Sequence, residues 1–330
     1  MSWSPWQTPG ARYLACPPLF DPEEGVTVRE PLGSGRGWWA GAPSAFHDDE
    51  TGTFYLYYRL RKPRELGRGV MCRIAAGSDG LEFRDVWQAG QEDLRSPSIE
   101  KSSIFRLPDG TWQLYISYVD PDTGMWRIDL MEADDPEQFE PASARPVFLP
   151  QDLGLAGIKD PAVYCIGGLY HMIVSYAPDP EAVTDDLRRT MHATGDVYNT
   201  GTVKSHTGLA TSEDGRNWVY EGDILTPPDE GWDQYCTRIG SVLSLPPLFV
   251  GFYDGSASVE ENYEEQAGLA ISRDLRCWRR ITTARPWVAS PWGCIRYVEA
   301  LPSWDAVYYY YEYTREDGSH ELRASRVELD

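Results

Sequence analysis

Phe54-Tyr55-Leu56-Tyr57-Tyr58 is a short aromatic run that returns four times along the chain. The later copies read Gln113-Leu114-Tyr115-Ile116-Ser117-Tyr118, Tyr170-His171-Met172-Ile173-Val174-Ser175-Tyr176, Leu248-Phe249-Val250-Gly251-Phe252-Tyr253 and Ala306-Val307-Tyr308-Tyr309-Tyr310-Tyr311-Glu312-Tyr313. Their last tyrosines fall at 58, 118, 176, 253 and 313, in steps of 60, 58, 77 and 60. Aromatic and β-branched runs of this length form strands, and Asp49-Glu50-Thr51-Gly52, Pro108-Asp109-Gly110 and Gly167-Gly168 place turns before three of them. A second series follows each of the first four copies: Ser78-Asp79-Gly80-Leu81-Glu82-Phe83, Ala133-Asp134-Asp135-Pro136-Glu137-Gln138-Phe139, Ser212-Glu213-Asp214-Gly215-Arg216-Asn217-Trp218 and Ser272-Arg273-Asp274-Leu275-Arg276-Cys277-Trp278. Each reads as a strand end, an Asp-centred turn and an aromatic opening the next strand.

Two series in phase, five copies and no long amphipathic pattern describe an all-β repeat. At four strands per copy, the expected fold is a five-bladed β-propeller, with four-stranded antiparallel blades around a central channel. A β-sandwich is the competing fold. Residues 38–330 make the propeller domain. Residues 1–37 are an N-terminal segment whose strand, Val26 to Arg29, closes the ring beside a C-terminal strand from Leu322 to Leu329.

The 330 residues, 42% of them apolar, suffice for a large core. Acidic residues outnumber basic ones by 51 to 30, for a formal charge of −21. Nucleic acid and anionic membranes are therefore not expected partners, since phosphate backbones would repel such a chain. No apolar run approaches the ~18 residues of a membrane span. The opening Met-Ser-Trp-Ser-Pro-Trp has neither a basic nor an apolar signal region, so a cytoplasmic protein is expected. Cys16, Cys72, Cys165, Cys236, Cys277 and Cys294 show no zinc-type spacing and no disulfide framework.

In a propeller, the starts of the inner strands and the loops between strands two and three converge on one rim. The inner starts are Gly41-Ala42-Pro43-Ser44, Ile99-Glu100-Lys101-Ser102, Ile158-Lys159-Asp160-Pro161, Thr237-Arg238-Ile239-Gly240 and Cys294-Ile295-Arg296-Tyr297. A long loop from Ala177 to Ser205 accounts for the 77-residue step, with one or two helical turns over Asp185 to Arg189. A second, acidic loop runs from Asp254 to Gln266. Lys101, Lys159, Arg238 and Arg296 thus gather at the channel mouth, Arg36 approaches it, and Glu100, Asp160 and Glu299 are the carboxylates among them. Charges cluster in a concave site when they pair or bind a ligand. One reading is a ring of salt bridges tying the blades together. The other is a site for an anion or carboxylated sugar, which arginine forks suit.

The Ser-x-Asp-Gly-x-x-Trp turns and the Lys159-Asp160-Pro161 strand resemble the five-bladed propeller glycosidases of glycoside hydrolase families 43, 32, 117 and 130, over residues 38 to 328. The resemblance implies a glycoside hydrolase-like enzyme acting on a small saccharide or glycoside, including acidic ones. Family 43 enzymes carry an Asp-Pro general base on the first inner strand, where this chain has Ala42-Pro43. Their third-strand Asp-Pro, which tunes the acid, is matched by Asp160-Pro161. Their fourth-strand acid is replaced by Arg238-Ile239-Gly240. Family 130 proteins have Glu-Asp-Pro-Arg on the second inner strand, where Glu100-Lys101-Ser102-Ser103 keeps the Glu and loses the Asp. Family 43 relatives hold calcium or another ion in the channel; no spacing here argues for a metal, and no cofactor is expected. A phosphorylase using the Lys/Arg ring for phosphate, a non-catalytic sugar-binding propeller, and a carbohydrate lyase or isomerase are the alternatives.

Glycosidic cleavage needs two acids flanking the bond. Glu100 and Asp160 begin adjacent inner strands, and Lys101 and Lys159 would lower their pKa, which suits a base or nucleophile. The acid then comes from a loop: His192 first, then Asp196, His206, Asp254 or Glu260. The expected catalytic set is Asp160, Glu100, His192 and Glu299. Lys101, Lys159, Arg238, Arg296, Asp196 and Asp254 are expected to bind substrate, and Trp38, Trp39 and Trp292 to stack on sugar faces. His47 and His171 read as structural.

Overall fold

The computed structural model describes residue 18, residues 20–180 and residues 183–329; Cys16 lies outside them. Strands dominate, in five antiparallel units of four. Unit I is β2 (Trp39–Asp48), β3 (Thr53–Arg61), β4 (Gly69–Gly77) and β5 (Arg84–Gly90). Unit II is β6 (Ser103–Arg106), β7 (Trp112–Val119), β8 (Trp126–Ala133) and β9 (Arg145–Phe148). Unit III is β10 (Leu155–Ile166), β11 (Leu169–Pro178), β12 (His206–Ser212) and β13 (Val219–Leu225). Unit IV is β14 (Cys236–Leu245), β15 (Leu248–Ser256), β16 (Gln266–Ser272) and β17 (Trp278–Arg280). Unit V is β18 (Ile295–Pro302), β19 (Ala306–Thr314), β20 (His320–Glu328) and, from the other end of the chain, β1 (Val26–Arg29), which pairs antiparallel with β20. One parallel bridge, Trp39 to His320, links units I and V.

The aromatic copies are the second strands of the units. All eight residues of β7 and all nine of β19 are buried, because each sheet is covered on both faces by its neighbours. The first strands touch in sequence, β2 to β6, β6 to β10, β10 to β14, β14 to β18, and β18 back to β2.

The Asp-centred turns join strands three and four. Asp79 accepts the backbone N–H groups of Leu81 and Glu82, and Asp214 those of Arg216 and Asn217. Such Asx turns fix the connection locally. They also lock the seams: Tyr310 of unit V donates to the Gly80 carbonyl of unit I at 2.8 Å, and Tyr115 of unit II to that of Gly215 in unit III. Gly80 has φ +73°, and a Cβ there would lie 2.6 Å from the Tyr308 ring, so both conformation and space require glycine.

Two helices occur among the described residues, α1 (Gln91–Leu94) and α2 (Asp185–Ala193). The second starts at Asp185 as expected, where the Thr184 side chain accepts the Leu187 N–H and caps it, and runs past the expected end at Arg189 to Ala193. Both long loops are shorter than read from sequence, since β11 runs on to Pro178 and β15 to Ser256.

Candidate functional site

Register shifts interrupt β2 between Gly41 and Ser44, β10 between Lys159 and Ala162, and β18 between Arg296 and Glu299. At each bulge a non-glycine residue takes positive φ: Ala42 at 52°, Asp160 at 55° and Tyr297 at 51°. Bulges re-aim side chains next to functional sites. Ala42 therefore keeps the backbone of the Asp160 position without its carboxylate.

Residues at and beside the starts of the first strands, with Arg59 and Glu312 of second strands and Glu265 of the β15–β16 connection, form a closed ring of alternating charge. Glu100 Oε1 lies 2.8 Å from Arg59 Nε, and Arg59 Nη2 lies 2.8 Å from Glu312 Oε1. Glu312 Oε2 accepts from Arg296 Nε at 2.7 Å, and Arg296 pairs with Glu265. Glu265 Oε1 is 3.3 Å from Arg238 Nη2, and Arg238 Nε is 3.5 Å from Asp160 Oδ2. Lys159 Nζ closes the circuit, 3.2 Å from Asp160 and 3.9 Å from Glu100. All eight side chains are buried. For Glu100, burial alone would raise the pKa, but Arg59, then Lys159, Arg61 and Arg296, outweigh it and hold the carboxyl well below the usual range.

Five ring members, Glu100, Lys159, Arg238, Glu265 and Arg296, line a small cavity of about 20 Å³. Arg61 also faces it. Its guanidinium is clamped between Trp39, 4.2 Å from the ring centre, and Tyr263, at 4.5 Å. It is 7% exposed, has no carboxylate partner among the described residues, and its Nε lacks a hydrogen bond. Oδ1 of Asp160 and Nη1 of Arg59 likewise make no hydrogen bond. Buried polar atoms left this way call for water or ligand atoms.

A larger cleft of about 810 Å³ lies outside, between α2 and the segments around Arg64 and Asp120. Arg68 lines both spaces. It bonds Asp196 at 3.3 Å and donates to the Gly195 carbonyl at 2.6 Å, while Tyr263 and Asn199 also donate to Asp196. These contacts wall the inner cavity off from the cleft.

The structure brings together Glu100, Lys159, Asp160, Asp196, Arg238 and Arg296, and separates the other expected site residues from them. His192 lines the outer cleft, with its pKa lowered by burial and then by Arg188. Lys101 is buried between Glu299, at 3.1 Å, and the Pro43 carbonyl, at 2.8 Å. Glu299 lines a different, mainly apolar pocket of about 270 Å³, to which all five first strands contribute. Asp254 sits behind Arg238, at 2.9 Å, accepts the Tyr297 N–H, and is pushed up to about 6 chiefly by burial. His206 bonds Tyr176, and Glu260 is exposed. Trp39 is corrected from a sugar platform to core: it is 2% exposed and stacks on His320 at 4.7 Å. Trp38 packs where a Gly33 side chain would lie, and Trp292 is half exposed and outside the cavity lining. His47 bonds Asp49, and His171 bonds its own strand's Leu169 carbonyl.

Sequence reasoning missed Arg59, Arg61, Glu265 and Glu312. The usable signal was charge inside otherwise buried aromatic strands: Arg59 and Arg61 follow the first aromatic copy directly, and Glu312 interrupts the last.

No protein-family model and no curated protein matches the chain. Solved structures do. A β-1,2-mannobiose phosphorylase from Listeria innocua is 14% identical over 90% of this chain and 92% of its own, with a TM-score of 0.59. A glycosyl hydrolase from Bacteroides ovatus is 15% identical over 91% and 88%, at 0.58. A thermostable family-43 glycoside hydrolase is 13% identical over 92% and 93%, at 0.63. The chain thus shares its fold, over nearly its whole length, with glycoside hydrolases and a glycoside phosphorylase.

Proposed function

We propose that this protein is a carbohydrate-active enzyme of glycoside hydrolase type, acting on a small saccharide that carries an acidic group. Residues 38–330 are read as five blades of a propeller, with residues 1–37 completing the fifth. The cyclic contacts of the first strands and the pairing of β1 with β20 support that architecture. The reaction would take place in the cavity lined by Glu100, Lys159 and Arg238.

The observation that carries the substrate class is Arg61, a buried guanidinium held by two aromatic faces and facing the cavity with no carboxylate at ion-pair distance among the described residues. Each desolvated cation–π contact contributes about 2 kcal/mol or more, set against the hydration a buried cation gives up. An anionic ligand group supplies the rest, and a carboxylate matches the fork. Glu100, held ionised, serves as the base or nucleophile. Asp160 orients Lys159 and Arg238 as a positioning residue. Of the carboxyls that line the cavity, Glu100 and Asp196 are both lowered, for Asp196 against burial by Arg68 first. The buried phenols of Tyr198 and Tyr297, pushed well up by burial, remain protonated; Tyr198 donates to the Ser175 carbonyl, and Tyr297 is the phenol of the lining left to donate to a ligand. A sugar needs more room than the inner cavity has, so the Arg68–Asp196–Tyr263 contacts must part for it to enter from the outer cleft.

The test is a panel of neutral sugars, uronic acids and their disaccharides, followed by calorimetry, by crystallography and by product mass. Uronates should bind at Arg61, and Arg61→Met should abolish the preference for acid over neutral sugar. A product heavier by water identifies hydrolysis, phosphate-dependent turnover identifies a phosphorylase, and an unsaturated product a lyase. Binding without turnover identifies a sugar-binding protein. Equal affinity for neutral and acidic sugars would refute the assignment of substrate class.

A further inference from the structure

Beside the charge ring, and outside the lining of the cavity, three side chains of different chemistry converge. Glu264 comes from the connection between β15 and β16, Cys294 immediately precedes β18, and His320 opens β20. Glu264 Oε2 lies 3.2 Å from His320 Nε2 and 3.3 Å from Cys294 Sγ, and Sγ lies 4.0 Å from Nε2. A tetrahedral zinc ion, with bonds of about 2.3 Å to sulfur and about 2.0–2.1 Å to nitrogen and oxygen, requires ligand separations of about 3.3 Å between N and O and about 3.6 Å to sulfur. The three observed edges match that triangle to within a few tenths of an ångström.

The second imidazole nitrogen adds an independent observation. His320 Nδ1 faces Glu312 Oε2 at 3.2 Å. A carboxylate on the far nitrogen is the usual partner of a metal-bound histidine, fixing its tautomer and turning Nε2 toward the ion. Trp39, stacked on the imidazole, fixes its plane. Cys294 and His320 are fully buried, whereas the Glu264 side chain is 25% exposed and leaves an entry path. The exposed Arg36 lies 3.9 Å from its other oxygen.

We propose that Glu264, Cys294 and His320 bind a divalent transition-metal ion, zinc being the best match, with Glu312 as the positioning residue for His320. Three protein ligands leave a fourth position for water or a ligand atom. Thr314 Oγ1, 3.1 Å from Nε2 and 3.3 Å from Sγ, stands beside that position. A thiolate and an imidazole select zinc, cobalt or nickel over calcium, which takes six to eight oxygen ligands. Binding forms metal–sulfur, metal–nitrogen and metal–oxygen bonds. It displaces the thiol proton and, from an imidazolium, the Nε2 proton, so up to two protons pass to solvent per ion and affinity rises with pH. The site stands independently of any reading of the sugar cavity.

The test uses the full chain, stripped with a chelator and titrated with Co²⁺, with absorption as the readout. One ion per chain is expected, with a thiolate-to-cobalt charge-transfer band that stoichiometric Zn²⁺ abolishes. Cys294→Ser should remove the band, and Glu264→Gln, at the partly exposed ligand, should weaken binding tenfold or more. Near-UV circular dichroism checks that each variant is folded. A folded wild-type protein that gives no such band, a band that survives in folded Cys294→Ser, or binding of Ca²⁺ in place of Zn²⁺ would each overturn the proposal.

Discussion

Replacing Asp160 with asparagine removes one charge from the ring and little else. The carboxylate is fully buried, 3.2 Å from Lys159 Nζ and 3.5 Å from Arg238 Nε. Once it is neutral, Lys159 keeps only Glu100 at 3.9 Å, while Arg238 keeps Asp254 and Glu265. Breaking a buried ion pair costs about 3–5 kcal/mol through the charge left behind, and the partners retained by Arg238 put this case near 3 kcal/mol. Asparagine tolerates the 55° φ of residue 160, so the backbone is kept; Asp160→Ala should cost about 1 kcal/mol more. With an unfolding entropy of about 2.1 cal/mol/K per residue, the 330-residue chain should lose about 4 °C in Tm. Adding Lys159→Met to Asp160→Asn removes the stranded cation and should recover part of that loss. Scanning calorimetry on the three variants reads all of this. A Tm for Asp160→Asn within about 1 °C of wild type would refute the view that the ring is held by charge, as would a double variant less stable than the single one.

Asp254 gives a pH signature of opposite sign to that of an ordinary salt-bridged acid. Burial raises its pKa from 3.8 to about 6, so between those values the unfolded chain releases a proton that the folded chain retains, and stability falls as pH rises through the window. Asp254→Asn should remove that slope. The difference in urea-derived stability should shift in the variant's favour by up to about 3 kcal/mol between pH 4 and 7, and a pH-independent difference would contradict the assignment. Gly41 occupies the place in unit I that Glu100, Lys159, Arg238 and Arg296 hold in the others, and a Cβ there would come within 1.9 Å of Glu312 Cγ. Gly41→Ala should therefore displace Glu312 from the ring and cost about 3 kcal/mol or more, whereas Gly52→Ala, at an open turn with φ +69°, should cost about 1–2 kcal/mol of backbone strain only. Chemical denaturation of the two variants separates the effects, and equal losses would count against the ring.

The repeat was legible because its signals are local. Period-two aromatic alternation and an Asp four residues before an aromatic each act within one hairpin, and the structure uses them as strand two and as the Asx turn that follows strand three. Five of the eight ring members could be read too. Glu100, Lys159, Asp160, Arg238 and Arg296 stand at the starts of first strands, where the repeat itself aligns them. Arg59, Glu265 and Glu312 escaped because they reach the ring from second strands and a connecting loop, where no alignment of first strands looks. Trp39 was misread for a related reason. A tryptophan beside a sheet start serves a sugar face or a guanidinium equally well, and the choice depends on Arg61 and Arg296, the latter more than 250 positions away. His320 and Cys294 approach each other only through the pairing of β18, β19 and β20, and the lack of any short Cys/His spacing concealed them.

The ring also changes how the two readings of the channel charges relate to each other. A staple and an anion site looked like alternatives, yet the four cations and four carboxylates of the ring cancel, and Arg68 is matched by Asp196. A neutral ring can fix five sheets in register without itself attracting a ligand. Asp254, 2.9 Å from Arg238, is a further carboxylate set against those cations. What remains facing the space is Arg61, held by rings in place of a carboxylate. The ring's members then define the position and the protonation of Glu100, and under the proposed function a carboxylate on the ligand would lie against Arg61, the guanidinium that the ring leaves to aromatic faces.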